Sequence, residues 1–263
     1  MLKRRLIPKL LIKHRPMGRS IRPVLVTTRS FANVHDVGDP VSQAKIYEAQ
    51  LADELLVLNI DGSAINGDDV MLGLIERLAS ETFMPLCVGG GVRSIHDFGT
   101  LLNCGADKVS INGAGLERPA LISEAAQRYG AQCVVVSIDF RRADDGRFFV
   151  MRDHAAQSTG RGLVDWAREA VDRGAGELLL CDADRDGGGT GLNWQVSQAV
   201  AAAVRVPVIL SGGCGRAEHF VEGFKLGGAE GVAAGTYFCL RDQNPMQTRA
   251  HILNAGVPIR MET

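Results

Sequence analysis

The chain is defined first by what it lacks. No run approaches the roughly 18 to 20 apolar residues of a membrane span, and Lys9 and Lys13 interrupt the N-terminal stretch before any signal-type apolar core can form. A cytoplasmic location is expected, with no membrane partner. Neither charge sign is in excess: 29 basic residues stand against 30 acidic ones, a formal charge of -1. That balance gives no reason to expect nucleic acid as a partner.

The six cysteines, Cys87, Cys104, Cys133, Cys181, Cys214 and Cys239, form no C-x-x-C pair and have no His at zinc-finger spacing. They read as reduced, buried thiols, and no metal or cofactor is expected. None sits in a nucleophile elbow with His and acid partners, so the chain carries no glutaminase of its own. The histidines form no cluster. No stretch rich in Ser, Pro or one charge divides the chain. Aromatic residues are only 5%, but 46% of the 263 residues are hydrophobic, enough for a large core.

What the chain does have is repetition. "LLVLNID" (Leu55 to Asp61) returns as "LLLCDAD" 123 residues later, and "MPLCVGGGV" and "GADKVSINGAG" return at offsets of 122 and 123. Within each half, short β-branched runs alternate with amphipathic stretches, the pattern of parallel βαβ units. Strands are predicted to start near Leu6, Glu54, Pro85, Lys108, Cys133, Leu178, Val208 and Gly231. Helices are predicted over 41–52, 69–82, 94–103 capped by Ser94, 119–129, 162–173, 194–203, 217–226 and 246–255. Eight of each predicts one (β/α)8 TIM barrel over 1–263, built from homologous half-barrels of about 1–130 and 131–263. A doubly wound open sheet is the alternative.

Active sites of such barrels lie in the loops after the strands. In the first half, Gly90 and Gly91 follow strand 3, and Asn112 with Gly113 follows strand 4; in the second, Gly212 and Gly213 follow strand 7, and Gly235 with Thr236 follows strand 8. Glycines there let backbone N–H groups approach a phosphate. Two such sets imply a ligand with a phosphate at each end. Its middle would lie over Asp139, which ends strand 5, and Asp186 in the Gly-rich loop after strand 6. That pair suits general acid–base work; Asp184 reads as a structural aspartate. By the repeat, strand 1 should carry a matching acid, but the register that aligns "PKLLIK" with "VVSIDF" puts Leu11 opposite Asp139.

"GDPV" at Gly38, "ADELLVLNID", "VGGGVRS", "GADKVSIN", "QCVVVSID", "GAGELLL", "DRDG" and "SGGCGRAEHF" together resemble the cyclase subunit of imidazole glycerol phosphate synthase across essentially the whole chain. The resemblance implies a barrel that takes ammonia from a separate glutaminase subunit. With it, the barrel splits and cyclises a bis-phosphorylated aminoimidazole carboxamide ribonucleotide of histidine synthesis. It implies catalytic roles for Asp139 and Asp186, and an ammonia gate at the barrel bottom made by Arg5, Glu54, Lys108 and Glu177. Asp107 and Gln132 match positions facing the glutaminase, with Arg260 nearby.

The resemblance also marks two departures. The family's strand 1 aspartate falls on Leu11, and its loop 1 lysine falls near Thr27 in a longer loop, leaving Lys13, Arg15, Arg19 or Arg22 to replace that charge. This combination is similar to a divergent branch associated with bacterial surface polysaccharide, in which glutaminase-derived ammonia serves a third enzyme that amidates a sugar. The leading expectation is therefore an ammonia-conducting, lyase-type barrel serving such an amidation. The second is a working histidine-pathway cyclase. The third is a related sugar isomerase or a non-catalytic scaffold, and Leu11 counts against the isomerase as well.

Overall fold

A computed structural model of the chain describes residues 3–260. In chain order the elements are β1 (Arg5–Met17), β2 (Ser20–Arg29), β3 (Ala32–Gly38), α1 (Pro40–Ala49), β4 (Leu55–Asn59), α2 (Asp69–Glu81), β5 (Leu86–Gly89), α3 (Ile95–Asn103), β6 (Lys108–Ile111), α4 (Gly113–Glu117) and α5 (Ala120–Tyr129). There follow β7 (Val134–Arg142), β8 (Phe148–Arg152), β9 (Gln157–Gly162), α6 (Leu163–Asp172), β10 (Glu177–Asp182), α7 (Trp194–Ala201), β11 (Val208–Ser211), α8 (Ala217–Lys225), β12 (Gly231–Ala234), α9 (Thr236–Leu240) and α10 (Pro245–Asn254). The parallel strands β1, β4, β5, β6, β7, β10, β11 and β12 pair in that order, and β12 pairs back onto β1 to close the barrel. The predicted (β/α)8 barrel is the observed fold.

Alternation along each strand builds two cores. Leu6, Leu10 and Ile12 on β1 face the helices, where they join Leu55, Val57, Val134 and Val136. The intervening Ile7 points inward, packing with Leu56, Cys87, Val135, Leu179, Cys181, Ile209 and Ala233 in the barrel interior. Each such burial is worth roughly 1.5–3 kcal/mol, so a one-residue slip of any strand would exchange the two cores and is strongly disfavoured. Helix starts are fixed locally. Ser94 and Asp97 form a reciprocal capping box on α3, the cap expected there.

The barrel carries four strands that the sequence reading did not contain. The sequence analysis places Lys13, Arg15, Arg19 and Arg22 in a long first loop. Instead β1 runs on to Met17, antiparallel to β2, with Leu11 opposite Val26 and Met17 opposite Ser20. Gly18, at φ 64°, closes the two-residue turn. β3 adds to β2, and after β7 the strands β8 and β9 form a matching excursion. β-branched residues at 24, 26, 27 and 28 explain why this "loop" is a ribbon. The short helices α4 and α9 were also unread.

The ladder supports the predicted pairing of Leu11 with Asp139. Leu11 lies opposite Leu58, and Asp139 opposite Cys181. Leu58 and Cys181 are themselves repeat mates, 123 residues apart.

Candidate active site at the barrel mouth

The four glycines after β5 and β11 share one conformation, with φ of 90° and 76° at Gly90 and Gly91 and 99° and 94° at Gly212 and Gly213. A Cβ at Gly90 would stand 2.0 Å from the Asn59 carbonyl oxygen, and one at Gly212 would stand 2.5 Å from that of Asp182. Backbone meets backbone here in both halves, which only glycine permits. Asn112 with Gly113, and Gly235 with Thr236, open α4 and α9 at repeat-equivalent positions, as the sequence places them. Gly213, Gly235 and Thr236 line a narrow cleft on the second-half side of the mouth.

Asp139 is nearly buried, and Asn112 Nδ2 donates to its Oδ2 at 2.8 Å. Burial pushes its pKa up to about 6; the Asn112 hydrogen bond and the positive charge of Lys9 act in the opposite direction, while Asp186 adds to the rise. A carboxyl in that range can both take and return a proton near neutrality. Asp186 is also buried and is held from two sides. The Thr28 hydroxyl donates to its Oδ2 at 2.6 Å, the Phe31 N–H reaches the same oxygen at 3.3 Å, and the Ser30 N–H donates to its carbonyl at 2.9 Å. The β2–β3 turn is therefore clasped to the loop after β10. Phe31, carried on that turn, packs against the interior cluster and also against Met151, Ala155 and Ala183. Asp184 instead pairs with Arg141 at 2.7 Å and accepts from the Arg142 N–H, a structural tie.

None of the cations expected to replace the missing lysine lines this cleft. Lys13 pairs with Asp61 at 2.6 Å and Arg15 with Asp36 at 2.8 Å, while Arg19 and Arg22 are exposed on the ribbon. The cation in the cleft is Lys9, one inward position below Leu11. It is only 6% exposed, with Nζ 3.8 Å from Asp186 Oδ1. The sequence signal for it is a lysine at i−2 from Leu11, on the same face of an otherwise apolar strand. Thr27 lines the same cleft, buried, with no partner for its Oγ1 among the described residues.

At the opposite end the four predicted gate residues do meet. Arg5 Nη1 lies 2.6 Å from Glu54, its other terminal nitrogen pairs with Glu177, and Lys108 Nζ stands 3.0 Å from Glu54 and 2.9 Å from Glu177. Gly231, opposite Arg5 on β12, leaves room for the side chains of Ile7 and Ile209 just above the ring. Burial opposes the charge on Arg5 and on Lys108, yet the two glutamates hold both pKa values above the usual range. Next to this ring, Asp107 Oδ2 accepts from the Leu86 N–H at 2.8 Å, and its repeat mate Glu230 accepts from Val208 N–H at 3.0 Å. Asp107 and Gln132 are both exposed on this face.

The chain matches the family described as "Histidine biosynthesis protein" over residues 5–243. It is 48% identical over 262 residues to "Putative imidazole glycerol phosphate synthase subunit hisF2" of Prochlorococcus marinus (strain MIT 9313), an alignment covering 100% of both chains. To "Imidazole glycerol phosphate synthase subunit HisF" of Gluconacetobacter diazotrophicus it is 44% identical over 260 residues, covering 99% of this chain and 97% of that one. A closed eight-stranded barrel with repeat-related glycine loops over a buried carboxylate pair, matched end to end by these relatives, places the chain in the histidine biosynthesis protein family, among homologues of the cyclase subunit of imidazole glycerol phosphate synthase.

Proposed function

We propose that the chain is the barrel subunit of a glutamine-dependent complex of the imidazole glycerol phosphate synthase type, adding ammonia to a bis-phosphorylated substrate at its mouth. A separate glutaminase docks around Asp107 and Gln132, and ammonia passes the Arg5, Glu54, Lys108 and Glu177 ring into the barrel. One phosphate sits at Gly90, Gly91, Asn112 and Gly113, the other at Gly212, Gly213, Gly235 and Thr236. Asp139 and Asp186 act on the atoms between. The observation that carries this reading is Asp139: a buried carboxyl poised near pH 6 beside a cation, between two glycine cradles. A structural acid has no need of that balance.

The test uses the chain alone with ammonium salts, following consumption of the bis-phosphorylated aminoimidazole carboxamide ribonucleotide. The native protein should turn over, and Asp139→Asn should lose on the order of 100-fold or more. Absence of native turnover would favour the second reading, in which the barrel only conducts ammonia to a partner enzyme that amidates a surface-polysaccharide sugar. Leu11, standing where β1 should offer an acid, is the observation that favours it.

A further inference from the structure

With Leu11 at the rim of β1, an acid–base pair across the mouth needs its second member from elsewhere. Three observations converge one position lower. Lys9 projects into the cleft, almost fully buried, and makes no hydrogen bond among the described residues; its nearest anion is Asp186 at 3.8 Å, beyond hydrogen-bond reach. β1 stands four strands round the eight-stranded ring from β7, so Lys9, which lines the cleft from β1, lies on the wall opposite the strand of Asp139. Two further hydroxyls line the same cleft with no partner among the described residues, Ser211 Oγ, wholly buried on β11, and Thr27 Oγ1 on β2. Orphaned buried hydroxyls are rare and costly, and here they point at the space a ligand would fill.

We propose that Lys9 is the catalytic proton donor of β1, replacing from one layer below the acid that Leu11 does not supply, and that it acts on a ketone carbonyl of a phosphorylated open-chain sugar. The assignment rests on the ammonia-adding reading above. In the proposed step Lys9 serves as an ammonium donor, with Asp186 Oδ1 3.8 Å from its Nζ. Ammonia attacks the carbonyl carbon and the C–N bond forms; the oxygen takes a proton from Lys9, and the new ammonium group loses one to Asp139. In the second half Asp139 returns its proton to the hydroxyl, the C–O bond breaks and water leaves. The iminium then gives a proton back to the Lys9 amine. The sum is ammonia plus ketone to imine plus water, with both side chains restored. Ser211 and Thr27 supply hydrogen bonds to the carbonyl oxygen or the adjacent phosphate.

The test compares native protein with Lys9→Met, Lys9→Arg and the double variant Lys9→Met/Leu11→Asp, using ammonium chloride and the bis-phosphorylated ribonucleotide. Arginine keeps the charge beside Asp186 but cannot give up a proton, so it separates acid from counter-ion. Lys9→Met and Lys9→Arg should each lose about 100-fold in kcat with KM little changed, and Leu11→Asp in the methionine background should recover part of the loss. Carbon-13 NMR titration should show the Asp139 pKa rising in Lys9→Met and not in Lys9→Arg. Native-like kcat in either single variant, or an Asp139 pKa unmoved in Lys9→Met, overturns the assignment while leaving the ammonia-adding reading intact. A native protein that turns over nothing removes both.

Discussion

At the scale of single residues, the mouth is controlled by how one carboxyl is buried. Burial raises the Asp139 pKa to about 6, above the unfolded value near 4. Between those values the native state therefore holds more protons than the unfolded chain, and stability falls as pH rises through that window. The shift corresponds to about 3 kcal/mol, fully incurred above pH 6. Asp139→Asn keeps an acceptor for Asn112 and removes the titration. Its stability relative to native should thus grow by up to about that amount from pH 4 to pH 7, checked by urea denaturation at both pH values. A flat difference would mean that Asp139 titrates normally. The sequence showed that Asp139 ends a strand and faces inward, because period-two alternation is local. It could not show the pKa, which depends on Asn112 and Lys9 arriving from other strands.

At the scale of elements, two contacts set the shape of the site. The β2–β3 turn is clasped to the loop after β10 through Thr28 and Asp186, and a Cβ on Gly187 would meet the Thr28 carbonyl oxygen at 2.0 Å. Thr28→Val removes one of the hydrogen bonds that tie this turn to Asp186, worth about 1.5–3 kcal/mol. Amides of residues 28–33 should exchange faster in that variant while barrel strands stay protected, as read by hydrogen–deuterium exchange. Gly90→Ala is a harsher change, placing a side chain at φ 90° and 2.0 Å from a carbonyl oxygen. It should cost at least about 2 kcal/mol and perturb the first glycine cradle. Barrel strands and their helices were legible because each buries a continuous apolar face and the two halves repeat. The ribbons β2–β3 and β8–β9 were not, since their alternation is broken by arginine, glycine and aspartate and they stand on edges outside the closed ring. Lys13, Arg15 and Arg22 lie on the β1–β2 ribbon and Arg19 in its turn, whereas Lys9 lines the cleft, and in sequence all five are simply cations near the N-terminus.

At the scale of the whole molecule, the function proposed above gives the two ends of the barrel different work. The bottom ring joins four strands with four ion pairs whose glutamates are almost inaccessible, side chains 2% and 6% exposed. Removing one partner leaves a buried charge unpaired, so Arg5→Ala should lower stability by about 3–5 kcal/mol, measured by urea denaturation at neutral pH. With a glutaminase bound, the same variant should yield less product per glutamine hydrolysed, while turnover with ammonium salts, which reach the mouth directly, changes little. The rim has a different freedom. β1 leaves its last barrel partner at Ile12 and runs five residues further to Met17, about 17 Å at 3.4 Å per residue. Nothing in the ring's closure fixes that overhang, so the chain can gain or lose cross-strand pairs at its tip without shifting the register of a single barrel strand. The height of one wall of the mouth is thereby a quantity that sequence change can tune independently of both the chemistry and the gate, and any large body seated over the mouth must approach from the side the wall leaves open.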